Sequence, residues 1–186
     1  MRKKLTRFAF KYLLGFVRFW YGLTMFLTRK KVTIPVYSAP SEITEALSHG
    51  RMYKTDPLRG ALDVLNHPTK TQRRINAKEK VGDCDDHAMY WCTALLESDL
   101  AAHVYFGWYQ YIDAQGKQKG HALCIFRDAK GWWYADYGLP TPVKGMWDFA
   151  TRDAQHRGAT PIAAGLSKIT LKRGGPHFNR PMGMIL

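Results

Sequence analysis

Acidic residues are missing from the first 31 positions of this chain, cysteine occurs only three times in 186 residues, and no low-complexity tract or fixed-period repeat interrupts it. Each absence excludes something. An odd count of cysteines, at 84, 92 and 124, is not a disulfide framework, so a reducing compartment or a reactive thiol is the simpler reading. Without repeats the chain is no solenoid or propeller. With 46% hydrophobic and 13% aromatic residues it is not a disordered polyelectrolyte either. The length suits one domain with a core and an appendage.

The formal net charge of +13 resembles a nucleic-acid signal until it is located. Residues 1–31 hold nine of the 28 Lys and Arg, leaving 19 basic against 15 acidic residues elsewhere, an excess of four. The basic excess therefore belongs to the extension and the body is only mildly basic.

Between Leu5 and Leu27 the sequence is rich in Phe, Trp, Tyr, Leu and Met, with Arg7, Lys11 and Arg18 recurring at roughly helical spacing beside Gly15 and Gly22. A narrow polar stripe on an apolar helix describes a segment lying in a membrane interface, its basic residues toward anionic head groups. Spanning is the second choice, because Lys11 and Arg18 break a run that would need about 20 apolar residues. A signal peptide is third, for want of a small-residue cleavage site. Packing of this helix on its own domain or on a partner is the plainer alternative. The resulting division is a basic amphipathic membrane-associating helix at 1–31, a linker at 32–40 containing Pro35 and Pro40, and a catalytic domain at 41–186. The expected location is cytoplasmic, peripheral to the inner face of the membrane, with single-pass anchoring as the variant.

Two short helices are predicted next, about 41–48 and from Asp56-Pro57 to about Asn66, the second ended by Pro68. Residues 69–80 are polar and basic and read as a surface loop. From Cys84 to about Glu97, Ala88, Trp91, Cys92 and Leu95 recur at three and four, the period of a buried helix face. Asp83 fits the N-cap, Asp85 and Asp86 the first turn, and Cys84 the first helical position. Three strands follow, 102–112, 119–127 and 132–137, joined by turns at 113–116 and 128–131. A short helix around 147–154 and an irregular tail from Gly174 complete the reading.

Within this pattern Cys84, His121 and Asp136 have the types and order of a thiol nucleophile, its base and the residue that orients the base. A thiol with an ordinary pKa near 8.5 is mostly protonated at neutral pH, and a helix N-terminus or a nearby imidazolium lowers that value. Strand parity offers an internal test. A two- or four-residue turn at 128–131 pairs Leu123 with Asp136, which makes His121 and Asp136 diagonal neighbours on one face, with Cβ atoms about 7 Å apart. A three-residue turn would put them on opposite faces. The same parity weakens a zinc site built from Cys84, His87, His121 and Cys124, because His121 and Cys124 point to opposite faces of one strand. Cys92 and Cys124 sit in apolar runs, as small core residues do. Three carboxylates at 83, 85 and 86 oppose a thiolate unless they are turned away, bonded to helix amides or neutralised by a cation. A hard cation such as calcium takes oxygen ligands of this kind, but needs more than three.

Gly82-Asp83-Cys84-Asp85-Asp86-His87-Ala88, followed by Gly120-His121 and Ala135-Asp136, resembles the transglutaminase-like superfamily of papain-related enzymes, and most nearly its bacterial cysteine proteinases. The resemblance covers about residues 82–138. It implies an α+β fold with a papain/transglutaminase-like core, in which the nucleophile helix packs on an antiparallel sheet, here preceded by the N-terminal amphipathic helix. It also implies Cys84 as nucleophile, His121 as general base and Asp136 as its orienter. No cofactor is required. In some of these proteinases acidic residues flanking the cysteine bind calcium, which carries over to Asp83, Asp85 and Asp86. His87 stands where an aromatic or aliphatic residue is usual.

The expected function is a thiol-dependent hydrolase, a cysteine peptidase or amidase acting on a protein or peptide through an acyl-enzyme thioester. Alternatives are acyl transfer from protein glutamine, which shares the first half-reaction, and a non-catalytic membrane-associated adaptor that retains the fold. Nucleic acid is the weaker partner, because the aromatics of the extension lie among apolar residues instead of on a polar platform. Oxyanion donors are sought at the Cys84 amide and among Gln72, Asn76 and the tryptophan indoles.

Overall fold

The computed structural model describes residues 20–21, 23–49, 65–173 and 175–185. The segment predicted as a membrane-interface helix lies largely outside these residues, as does most of the helix predicted from Asp56-Pro57. Its described end, 20–21 and 23–28, is helical and rests on the body. Tyr21 packs edge-on to Phe106, and Thr24 Oγ1 donates to the Leu65 carbonyl at 3.0 Å. Leu23, Phe26 and Leu27 face outward. Among the described residues, no helix is long and apolar enough to cross a membrane. Residues 32–37 have no regular structure, yet Ile34 and Tyr37 are buried, so this stretch is pinned to the core.

Among the described residues four helices and six strands follow: α1 (Pro40–His49), α2 (Pro68–Asn76), α3 (Cys84–Glu97), β1 (His103–Ile112), β2 (Gln118–Asp128), β3 (Gly131–Ala135), β4 (Thr141–Val143), α4 (Asp148–His156), β5 (Thr160–Lys172) and β6 (Gly175–Ile185). The strands form one antiparallel sheet in the order β4-β3-β2-β1-β5-β6. The chain meanders from β1 to β4, and α4 then carries it back to the other side of β1. This is an α+β arrangement of helices and antiparallel strands.

The sheet is covered on both sides. Ile43, Leu47, Ile75 and the length of α3 pack with Cys124 and Phe126, while Phe149, Ala150 and Ala154 of α4 pack with Leu123 and Ile125 on the opposite face. Every residue of α3 from Asp85 to Leu95 is buried, more than the one-face periodicity implied, because α1, α2 and the sheet enclose it together.

Three sequence expectations are corrected. The surface loop at 69–80 is in large part helix α2, whose N-cap is His67 with Pro68 just inside the start. Its end is a Schellman motif, with Lys78 N–H on Ile75 O at 3.0 Å and Glu79 N–H on Arg74 O at 2.9 Å. Lys78 holds the left-handed φ of 53° that sequence reading assigns to glycine. Strand β5 was not anticipated, and the supposedly irregular tail is β6. Its Pro176 and Pro181 are tolerated because β6 is an outer strand.

Candidate active site

Asp83 occupies the N-cap of α3 in extended conformation and puts Cys84 at the first turn, half-buried, whereas Cys92 and Cys124 are fully buried. The backbone N–H groups of this first turn have no carbonyl four residues back within the helix and point out of its end. From the sheet, β2 pairs with β3 so that Cys124 faces Ala135, which is the register of a turn with an even number of residues. That register sets His121 and Asp136 on the α4 side of the sheet.

Four groups converge on His121, itself 7% exposed. Asp136 Oδ1 lies 3.0 Å from Nε2, although this oxygen has no well-aligned hydrogen bond. Arg157, just past the end of α4, puts Nη2 2.8 Å from the same Nε2 and donates to Asp136 Oδ2 at 2.6 Å. Asp153 Oδ2 is 4.0 Å from Nε2 and accepts from Arg157 Nε at 2.7 Å and from the buried Tyr109 hydroxyl at 2.5 Å. Cys84, at the start of α3, is the fourth. Burial works against a charged imidazole, but polar contacts with Asp136 and Cys84 and their negative charge outweigh it and push the His121 pKa up to about 9.

Tyr137, directly after Asp136, covers two imidazoles. Its ring centroid is 5.9 Å from that of His121 and 5.0 Å from that of His87. His87 is one turn along α3 from Cys84, is buried, and has no hydrogen bond at either ring nitrogen among the described residues. Burial drives its pKa down to about 4 against the pull of the Asp136 and Asp83 charges, so its ring is neutral.

The three acidic residues beside Cys84 divide by environment. Asp86 accepts from the Asn66 amide at 2.7 Å through Oδ1 and from Asn66 Nδ2 at 2.5 Å through Oδ2, with Arg74 Nη1 at 3.8 Å. Burial raises its pKa to about 7 despite the Asn66 hydrogen bonds, and the Asp83 charge adds to the rise. Asp85 Oδ1 accepts from the Asp86 N–H at 2.8 Å. Asp83, the expected capping side chain, makes no cap hydrogen bond, and its Oδ1 is buried with no partner among the described residues. One oxygen from each of the three lies within 4.8 Å of the others. A cluster of buried carboxylates in which Asp83 Oδ1 is unmatched fits a hard cation, with Asp86 restrained by Asn66.

Of the expected oxyanion donors, Gln72 is committed elsewhere: Nε2 donates to Asn76 Oδ1 at 2.7 Å and Oε1 accepts from the Tyr90 hydroxyl. Sequence reasoning missed Tyr109, Asp153 and Arg157. For the last two a signal existed, since Asp153 and Arg157 stand four apart at a helix end, the spacing of an intrahelical ion pair.

No protein-family model matches the chain, and no curated protein matches it. Among solved structures, Legionella pneumophila LapG (EGTA-treated) is similar with a TM-score of 0.39 and 19% identity, over 86% of this chain and 78% of that one. A likeness this distant says nothing about the chemistry of this chain.

Proposed function

We propose that the protein is a thiol-dependent hydrolase, a cysteine peptidase or amidase, with Cys84 as nucleophile, His121 as proton carrier and Asp136 as its orienter. The observation that carries this reading is the convergence on His121 of Asp136, 3.0 Å from Nε2, and of the Cys84 thiol, a polar partner of the same ring. With Nε2 engaged, Nδ1 is the nitrogen left for the sulfur. An imidazolium and a helix N-terminus both favour a thiolate. The thiolate adds to the substrate carbonyl, the Cys84 N–H helps to hold the oxyanion, and His121 protonates the leaving amine to give a thioester. Water then attacks while His121 takes its proton, releasing the acid and restoring the thiolate–imidazolium pair.

Calcium belongs to the same proposal. Asp83 and Asp85 would hold it, with Asp86 oriented by Asn66, and its charge would offset the carboxylates that otherwise disfavour a thiolate at Cys84. Raising calcium from an EGTA-buffered zero to about 100 times its dissociation constant should add about 2.7 kcal/mol. In a thermal melt that is about 5–10 °C for a chain of this size. Asp83→Asn should abolish the shift, and an unchanged melting temperature in the wild type rules the ion out. Exposed Leu23, Phe26 and Leu27 next to exposed Arg29, Lys30 and Lys31 support the accompanying proposal of a membrane-surface location.

The direct test is alkylation. Iodoacetamide at pH 6 should modify Cys84 at least about tenfold faster than free cysteine, whose thiolate is scarce there. Mass spectrometry of the native protein locates the adduct. A rate equal to that of free cysteine removes the enzymatic reading.

A further inference from the structure

Arg157 is the group this mechanism leaves unused. Its guanidinium approaches the one nitrogen of His121 that Asp136 also approaches, at 2.8 Å and 3.0 Å. These contacts compete at one nitrogen. A doubly protonated ring donates from Nε2 to Asp136 but sets its positive charge against that of Nη2, whereas a ring that has lost its Nδ1 proton keeps the Nε2 hydrogen toward Asp136 and is relieved of that charge repulsion. Asp136 Oδ1, left without a well-aligned bond, marks the competition in the structure. Arg157 cannot swing aside freely, because its Nε is tied to Asp153, and Asp153 is fixed in turn by Tyr109 from β1.

We propose that Arg157 is a positioning residue that restrains His121 from staying doubly protonated, so that the same imidazole that supports the thiolate can also serve as the base for deacylation. The inference rests on the proposed triad. The groups facing His121 are Cys84 from α3, Tyr109 from β1, Asp136 and Tyr137 after β3, Asp153 from α4, and Arg157 itself. Cys84, Asp136 and Asp153, when ionised, favour the imidazolium, and among the described residues facing the ring Arg157 is the cation set against them. Acylation gains from an imidazolium; deacylation needs the neutral ring. Removing Arg157 should therefore separate the two half-reactions.

p-Nitrophenyl acetate serves as the probe. The thiolate forms an acetyl thioester and expels p-nitrophenolate, and water then gives acetate and the free enzyme, with His121 taking the proton of the water. In Arg157→Gln the burst of p-nitrophenolate should persist and iodoacetamide alkylation at pH 6 should be at least as fast as in the wild type. The steady-state rate at pH 7 should fall about tenfold, with its acidic limb displaced upward by about one pH unit. Arg157→Lys, which keeps the charge without the fork, should recover part of the steady-state rate. If the lone Asp153 carboxylate unsettles the fold, Arg157→Gln with Asp153→Asn replaces the single variant and should show the same separation. Burst and steady state falling together, or neither changing, overturns the proposal. A wild-type protein without a burst, or a burst that survives Cys84→Ala, overturns the triad itself.

Discussion

Replacing His121 with alanine is expected to lower turnover of a p-nitrophenyl ester by about 10²–10⁴-fold, the usual contribution of a positioned acid-base group. The fold should persist, because His121 keeps its backbone pairing with Tyr109 of β1 whatever its side chain. Alkylation of Cys84 at pH 6 should slow in parallel, since the imidazolium that favours the thiolate is gone. A second signature lies in stability. His121 has a folded pKa of about 9 against an ordinary value of 6.5. Its contribution is therefore complete below about pH 6.5 and is lost as pH rises through about 9. The melting temperature of the wild type relative to His121→Ala should shrink across that window. A gap that stays constant from pH 6 to 9.5 would mean that His121 is not held as an imidazolium.

Gly82→Ala should be the most destabilising of the glycine-to-alanine changes around the site. A Cβ at position 82 would stand 2.1 Å from Asp86 Oδ2 and 2.5 Å from Asp86 Cβ. Asp86 cannot yield, because both of its oxygens are bound to Asn66 and its side chain is buried in the first turn of α3. The clash therefore either breaks the Asn66 tie or displaces the start of α3. Overpacking alone costs about 1–3 kcal/mol, and a buried carboxylate stripped of its partners adds to it. A loss of about 3 kcal/mol corresponds to a fall of roughly 6–12 °C in melting temperature. Gly138→Ala provides the comparison: a Cβ there meets nothing within 4 Å, so stability should change by less than about 0.5 kcal/mol. Equal melting temperatures for the two variants would show that the Asp86 tie does not anchor the helix start. Because Cys84 begins that helix, alkylation of Gly82→Ala at pH 6 should fall even at temperatures where the protein remains folded.

The helix at Cys84 and the β2–β3 register were legible because they rest on local rules. Spacings of three and four mark α3, and the even turn at 128–131 fixes which residues share a face. Elements that depend on distant partners were not. Helix α2 ends on Lys78 in the left-handed region, so the glycine that usually announces such an end is missing. Strand β6 contains two prolines and exists because β5 pairs with it along most of its length. Arg157 reaches His121 from 36 residues away, and no local pattern couples them. Asp83 was read as a cap because acidic residues favour that position. The backbone adopts the cap conformation, but the carboxylate turns elsewhere.

Both outer strands of the sheet contain proline: Pro142 in the three-residue β4, and Pro176 and Pro181 in β6. Proline in an outer strand turns its nitrogen, which has no hydrogen to donate, toward solvent. An incoming polypeptide laid alongside either border would find gaps in the ladder it needs to extend.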